Sequence, residues 1–183
     1  MEAASAIRST PSPLSSLSSL ASGMEASLSQ SARMVAAHVA ASLPDPDTLL
    51  ASLPPGALEG SPENYTRHLV YADPYERFSV MVLVWRPGQH SPVHGHRTWC
   101  AYRVLRGTLS ERHYRWNPDN RTATQVGAVT RELGDTFSVP AGLQHIHALG
   151  NDSHAVAVSL HIYGVDQDRI ATGVNLLVDT IVS

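Results

Sequence analysis

Residues 88–107 read GQHSPVHGHRTWCAYRVLRG, and this stretch decides the fold. It contains the pair His94 and His96, separated only by Gly95. On a β-strand, residues i and i+2 project to the same face, so both imidazoles would enter the same space. Imidazole nitrogen is a good ligand for iron(II), zinc, nickel and copper. A His-x-His pair alone is common in strands, so the residues around it have to decide whether it binds a metal.

The glycines that flank this pair add a specific spacing. The stretch 88–107 fits G-x5-H-x-H-x3-E-x6-G, the first motif of the cupin family, with Cys100 at the glutamate position. A second stretch, GDTFSVPAGLQHIHALGN at 134–151, resembles the second cupin motif in its Gly-x5-Pro-x-Gly spacing. The resemblance implies a small β-barrel in which the second motif supplies a third histidine to the first pair.

Two histidines compete for the third position. His145 fits the cupin spacing P-x-G-x-x-H, whereas His147 fits the ending H-x-x-x-N together with Asn151. Both would lie on one face of a regular strand, so alternation does not separate them. We prefer His147, which leaves His145 behind the ligands or at the mouth of the site.

The pattern beyond residue 65 predicts an all-β fold. FSVMVLVW at 78–85 is typical of a buried strand, and further short strands follow between Gly, Asn, Asp and Pro turns. Six or seven strands at roughly ten-residue intervals, without long helices, indicate a sandwich or barrel. We therefore expect a cupin-type small β-barrel or jelly-roll with N-terminal helices. The segment 167–182 is ambiguous between helix and strand.

The first third of the chain has a different composition. Residues 1–31 are rich in Ser, Ala and Pro, and we expect them to be poorly ordered. Residues 31–43 have helical spacing with Met34, Val35, His38 and Val39 on one side. Asp47 could cap a second short helix. We therefore divide the chain into an N-terminal segment 1–31 and a cupin domain 32–183 that carries a helical extension.

Composition limits the classes of function and partner. The chain has 183 residues, a net charge of −3 and 43% hydrophobic residues, which gives no electrostatic reason to expect nucleic acid. No run of about 18 apolar residues occurs, so we expect no membrane span. The single cysteine, Cys100, fits a reducing compartment such as the cytoplasm. A domain of this size needs no partner to bury its core, and we expect a monomer or small homo-oligomer.

Four segments together resemble the cysteine dioxygenase family over about residues 63–164. They are Cys100 in place of the cupin glutamate, YTRHLV at 65–70, HALGN at 147–151 and AVSLHIY at 157–163. The resemblance implies an enzyme that holds Fe(II) on His94, His96 and His147 without a carboxylate. Such an enzyme oxidises a small thiol, here L-cysteine, to its sulfinic acid with O2. The resemblance therefore implies that residues 32–183 form a thiol dioxygenase domain.

The resemblance also implies roles around the metal. Arg67 would bind the substrate carboxylate, because a guanidinium offers a planar two-point match, and Tyr65 would help to position the substrate. Ser159, His161 and Tyr163 share one strand face and would form a hydrogen-bonded relay that ends near the iron. Cys100 either forms a thioether link to Tyr163, as in this family, or is a buried free thiol.

Three alternatives stay open from the sequence. A dioxygenase of another thiol acid such as 3-mercaptopropionate shares the Trp85-x-Pro-Gly-Gln feature, and Arg169 would then be the candidate carboxylate partner. A non-catalytic cupin that binds a metal or small ligand comes from a different class. Three histidines also suit zinc, but no Asp or Glu lies near them in sequence to act as a base for hydrolysis.

Overall fold

The computed structural model of the chain describes residues 13–42 and 45–181, and strands dominate it beyond residue 65. The strands are β1 Thr66–Ala72, β2 Ser79–Trp85, β3 His94–His96, β4 Cys100–Arg106, β5 Leu109–Asn117, β6 Thr122–Arg131, β7 Thr136–Val139, β8 Gly142–Gly150, β9 Ala157–Tyr163, β10 Asn175–Leu177 and β11 Asp179–Thr180.

These strands form two sheets that face each other. The first sheet has the order β1-β2-β9-β4-β7, and the second has the order β10-β3-β8-β5-β6-β11. Strands that follow each other in the chain, such as β4 and β5 or β8 and β9, lie in opposite sheets, as in a jelly-roll. The predicted all-β cupin barrel with N-terminal helices is thereby confirmed.

Strand β2 is rich in apolar residues because both of its faces are buried. Leu83 and Trp85 belong to a core cluster that takes residues from both sheets. Val82 and Val84 point the other way, into a second cluster with Val39 and other residues of the helical extension. Because successive residues of a strand face opposite sides, a strand buried on both faces needs apolar residues at every position.

The N-terminal helices differ from the predicted ones. Helix α1 runs from Pro13 to Ser42, so it begins well before residue 31 and includes residues that we expected to be poorly ordered. Residues 1–12 of that segment lie outside the described residues. Helix α1 buries Ala32, Ala36 and Val39, whereas Met34 is 65% exposed. Of the four residues predicted to share one side, Val39 is buried and Val35 half-buried, whereas Met34 and His38 are exposed, so only part of that side packs against the rest of the protein.

The second helix also begins differently. Helix α2 covers Pro46–Ala51, and Asp45 caps it by accepting a hydrogen bond from the backbone of Thr48. The prediction had assigned the cap to Asp47, which lies in the first turn instead. A cap on Asp45 fits because Pro46 follows it, and proline is favoured at the first helical position.

The ambiguous C-terminal segment contains both kinds of structure. A 3-10 turn at Gln167–Arg169 leads into the short helix α3 at Ile170–Gly173, and β10 then pairs antiparallel with β3. This pairing brings the end of the chain against the strand that carries the His-x-His pair. No helix among the described residues combines the length and apolar character that crossing a bilayer requires.

Candidate metal centre

Three histidines converge in the interior between the two sheets. His94 and His96 come from β3 and His147 from the neighbouring β8, and one ligand atom of each lies within 4.8 Å of the others. The ring centroids are 4.8 to 5.1 Å apart, and the three residues are no more than 6% exposed. Among the described residues, this is the single group of at least three His, Cys, Asp or Glu that could hold a metal ion.

An irregular pairing selects His147 over His145. His94 pairs with His147 and His96 pairs with Gly142, so three residues of β3 face six residues of β8. The additional residues of β8 break the alternation on which the sequence argument depended. His147 enters the interior, while His145 is exposed and is not part of the cluster. The structure thus brings together the preferred three histidines.

Gly95 is required by this packing. A Cβ atom at position 95 would lie 2.7 Å from the carbonyl oxygen of Gly142 and 2.9 Å from Cδ2 of Leu143. The first contact is with backbone, which does not yield as the end of a flexible side chain does. The lack of a side chain at Gly95 therefore lets β8 approach β3 closely enough to bring the third imidazole to the pair.

The hydrogen bonds of the rings suit metal ligation. Nδ1 of His94 lies 2.8 Å from the carbonyl oxygen of Pro92, and Nδ1 of His147 lies 2.6 Å from a carboxylate oxygen of Glu111. When Nδ1 donates to these acceptors, Nε2 is left unprotonated, as a metal ligand must be. This arrangement of His94 and His147 fits a divalent transition metal.

Burial keeps the imidazoles neutral, which is also the state that binds metal. It lowers the pKa of His94 to about 4 and that of His96 to about 2, with further lowering from the charge of His147. A protonated imidazole would lose its solvation in this interior, so the neutral form is favoured at neutral pH. Imidazole ligands, which bind a metal in the neutral form, add no negative charge to a bound cation.

Glu111 is the important residue that sequence reasoning missed. It is fully buried on β5, which pairs with β8, and its carboxylate accepts hydrogen bonds from Tyr102 at 3.0 Å and from Nε of Arg131 at 2.6 Å. Burial alone would raise the pKa of Glu111. The hydrogen bond and charge of His147, followed by those of Arg131, outweigh burial and lower the pKa to about 2.

The sequence interpretation considered only acidic residues near the histidines in sequence, whereas the fold brings Glu111 to His147 in space. Glu111 is held ionised behind His147, where its hydrogen bond orients the ring. It is not among the residues that line the small cavity in front of the three rings. A usable signal was present, because Leu109 and Glu111 share a strand face and Leu109 is a core residue.

The predicted relay residues lie in one hydrogen-bonded row. Nε1 of Trp85 donates to Oγ of Ser159 at 3.0 Å, Ser159 lies 2.9 Å from Nε2 of His161, and Nδ1 of His161 lies 3.2 Å from the hydroxyl of Tyr163. Burial lowers the pKa of His161 to about 3, so the ring is neutral. Trp85 was not predicted to take part.

The indole N–H of Trp85 determines which group donates and which accepts in each hydrogen bond of this row. Because an indole only donates, Ser159 accepts from it and is free to donate its own hydrogen to Nε2 of His161. The neutral ring then carries its hydrogen on Nδ1 and donates it to the oxygen of Tyr163. In this arrangement Trp85, Ser159 and His161 each use their donor within the row, which leaves the hydroxyl hydrogen of Tyr163 available to a molecule in the cavity that this residue lines.

Arg67 and Tyr65 line the same cavity as the three histidines. Arg67 donates a hydrogen bond to the hydroxyl of Tyr65 at 2.8 Å, and the Tyr65 ring stacks on Trp85 with centroids 4.2 Å apart. Tyr65 therefore fixes the guanidinium at the cavity. Arg169, the other candidate, lies exposed on the 3-10 turn and is not among the residues that line the cavity.

Cys100 lies directly opposite Tyr163. The two are paired in register on the adjacent strands β4 and β9, and both are buried. Burial, followed by the charge of Glu111, raises the pKa of the Cys100 thiol above its usual range. The thiol is therefore neutral, and it faces the residue with which the family resemblance would link it.

Comparison with known proteins shows to which family this chain belongs. The family model described as cysteine dioxygenase type I matches residues 59–172, more than half of the chain. The chain belongs to the cysteine dioxygenase family. Cysteine dioxygenase type 1 from Rattus norvegicus is 33% identical over 105 residues, which cover 54% of this chain and 50% of the relative. The Danio rerio protein of the same name is 32% identical over 104 residues, with the same coverage.

This cysteine dioxygenase family member spans about half the length of the curated relatives it matches. Among solved structures, a double-stranded β-helix protein from Klebsiella pneumoniae is 16% identical with a TM-score of 0.48, covering 65% of this chain and 83% of that one. A cupin superfamily protein from Desulfitobacterium hafniense is 16% identical with a TM-score of 0.45, covering 62% and 90%. The assignment of the fold rests on the strand pairings above.

Proposed function

We propose that this protein is a non-haem iron(II) thiol dioxygenase that oxidises L-cysteine to cysteine sulfinic acid with O2. The observation that carries the proposal is the convergence of three buried histidines, with no carboxylate in the cluster that faces the cavity. The family match is consistent with it. We also propose a reducing, cytoplasmic setting, since the chain has one cysteine and that residue is buried.

The charge of the centre favours a thiol substrate. Neutral imidazoles leave the full 2+ charge on a bound iron(II), whereas one carboxylate ligand would reduce it to 1+. A more positive metal lowers the pKa of a bound thiol further, so the substrate binds as the thiolate. Iron(II) held by His94, His96 and His147 would supply the open positions at which sulfur and O2 meet, and both oxygen atoms end on sulfur.

The protein groups around the cavity hold the substrate. Arg67, fixed by Tyr65, would bind the substrate carboxylate through two parallel hydrogen bonds. Tyr163, oriented by His161 and Ser159, would donate a hydrogen bond from its hydroxyl to the substrate or to oxygen that has been transferred to sulfur. Because the relay residues are buried, this donor is oriented before the substrate arrives.

Oxygen uptake by iron-loaded protein tests the proposal. L-Cysteine and 3-mercaptopropionate are compared as substrates, and Arg67→Gln is compared with Arg169→Gln as the matched control. A charge-assisted pair contributes roughly 1.5–3 kcal/mol, so Arg67→Gln should lower kcat/KM for L-cysteine about 10- to 100-fold. Arg169→Gln should leave it unchanged.

Three other outcomes of this experiment would reject part or all of the proposed function. Loss of turnover in Arg169→Gln but not in Arg67→Gln would reject the carboxylate assignment. Preference for 3-mercaptopropionate would replace L-cysteine as the substrate. A protein that holds iron and consumes no O2 with either thiol would be a non-catalytic cupin.

A further inference from the structure

Asn175 lies beyond the segment that the family model matches, yet it lines the cavity of the three histidines. Its strand β10 pairs with β3, with Asn175 opposite His96 and Leu177 opposite His94. Residues that are directly paired across an antiparallel ladder project to the same face, with Cβ atoms about 4.5–5.5 Å apart. Asn175 is therefore on the interior face, beside one of the proposed ligands.

The Asn175 side chain has an unused hydrogen-bonding capacity. The residue is half-buried, and within the described chain its carboxamide makes no hydrogen bond; the Arg97 side chain donates to its main-chain oxygen instead. A carboxamide has one acceptor oxygen and two donor hydrogens. This position on the cavity wall can thus accept a hydrogen bond from a bound molecule.

Three other hydroxyl groups of the cavity wall already take part in hydrogen bonds. Tyr65 accepts from Arg67, Tyr102 donates to Glu111, and Ser91 accepts from the backbone of Leu149. No Asp or Glu of the described chain is among the residues that line this cavity. Arg67 and Tyr163 offer donors to this cavity, and the amide oxygen of Asn175 is an acceptor that has no partner among the described residues.

We propose that Asn175 is a specificity-determining residue that recognises the α-amino group of the substrate, with its Oδ1 accepting an N–H. This inference rests on the proposed function and deepens it, because it selects amino thiols over thiol acids without an amine. L-Cysteine has N–H groups to donate. 3-Mercaptopropionate has the same thiol and carboxylate but no amine, so Asn175 gains nothing from it.

Asn175→Leu tests this inference, since leucine has a similar size but cannot accept a hydrogen bond. Leu176→Ala is the matched control, because Leu176 lies on the same strand opposite Gly95 and faces the other side of the sheet. kcat and KM are measured for both thiols in iron-loaded protein. Anaerobic titration calorimetry gives the binding affinity of each thiol without turnover.

The two substrates, each measured with the wild type and with Asn175→Leu, form a cycle that isolates the amine contact. Asn175→Leu should lower kcat/KM and affinity for L-cysteine about fivefold, equivalent to about 1 kcal/mol, mainly through KM. For 3-mercaptopropionate, kcat/KM and affinity should stay within twofold of the wild-type values. Leu176→Ala should leave the preference for L-cysteine over 3-mercaptopropionate unchanged. Equal losses for both thiols, or no loss for L-cysteine, would overturn the inference. Absence of turnover in the wild type would instead reject the proposed function, while calorimetry would still test Asn175.

Discussion

Replacement of Glu111 by glutamine should weaken iron binding without removing any proposed ligand. The carboxylate accepts from His147 at 2.6 Å through one oxygen and from Nε of Arg131 at 2.6 Å through the other. A glutamine side chain has one oxygen and one amide nitrogen. Whichever way the amide is turned, its N–H groups face either the N–H of His147 or the guanidinium of Arg131, so one contact is lost.

The size of the effect follows from these contacts. A hydrogen bond to a charged group contributes about 1.5–3 kcal/mol, and loss of a carboxylate behind a ligating histidine typically lowers metal affinity about 10- to 100-fold. We therefore expect the Kd for iron(II) to rise by about that factor in Glu111→Gln. Tyr102→Phe removes a donor to the same carboxylate but leaves the His147 contact, and it should change the Kd by less than about threefold.

Anaerobic competition for iron(II) against a chromophoric chelator measures this Kd. The matched control is Glu132→Gln, since Glu132 is exposed and has no side-chain hydrogen bond or ion pair in the described structure. Circular dichroism melts show whether each variant is folded before the titration. A folded Glu111→Gln protein whose Kd lies within threefold of the wild-type value would refute the proposed role of Glu111.

Three further predictions follow from the packing and burial of the site. Gly95→Ala should lower thermal stability and abolish metal binding because of the backbone contact described above, whereas Gly127→Ala, where a Cβ meets nothing within 4 Å, should melt within a few degrees of wild type. Equal melting temperatures and metal content would contradict this. The apo-protein should lose stability as the pH falls below 6.5, approaching about 4 kcal/mol per pH unit near pH 5, because three buried histidines accept protons more readily in the unfolded chain. Their pKa values are lowered to about 4, 2 and 3 for His94, His96 and His161 respectively. Urea unfolding from pH 7 to 5 measures this, and a slope equivalent to less than one proton would be inconsistent with it. Cys100 should form a thioether with Tyr163 during turnover, with O2 as the oxidant; denaturing mass spectrometry should show the loss of two hydrogens, and an unchanged mass would leave Cys100 a free thiol.

The first half of the site could be predicted from sequence because it depends on local geometry. His94 and His96 share a face through the period of a β-strand, and Gly95 is explained by the backbone that approaches it. The barrel followed from turn residues that recur at regular intervals. The same local reasoning could not choose between His145 and His147, because the irregular pairing of β3 with β8 depends on how two distant segments meet.

The second half of the site depends on contacts between distant strands. Glu111 reaches His147 because β5 pairs with β8, a contact across 36 residues of sequence. Asn175 reaches the cavity through the pairing of β10 with β3, which the ambiguous C-terminal pattern did not reveal. Helix α1 was predicted too short, because its Ser- and Ala-rich beginning resembles disordered sequence in composition although it is helical in the structure.

Oxygen consumption and sulfinate formation, measured together in one sample, test the central claim most directly. Protein loaded anaerobically with one equivalent of iron(II) is given L-cysteine and O2, beside His147→Ala and, as the matched control, His145→Ala. We expect one sulfinate formed per O2 consumed by the wild type and by His145→Ala, and neither activity in His147→Ala. Sulfinate formation that survives in His147→Ala, or its absence from iron-loaded wild-type protein, would contradict the account.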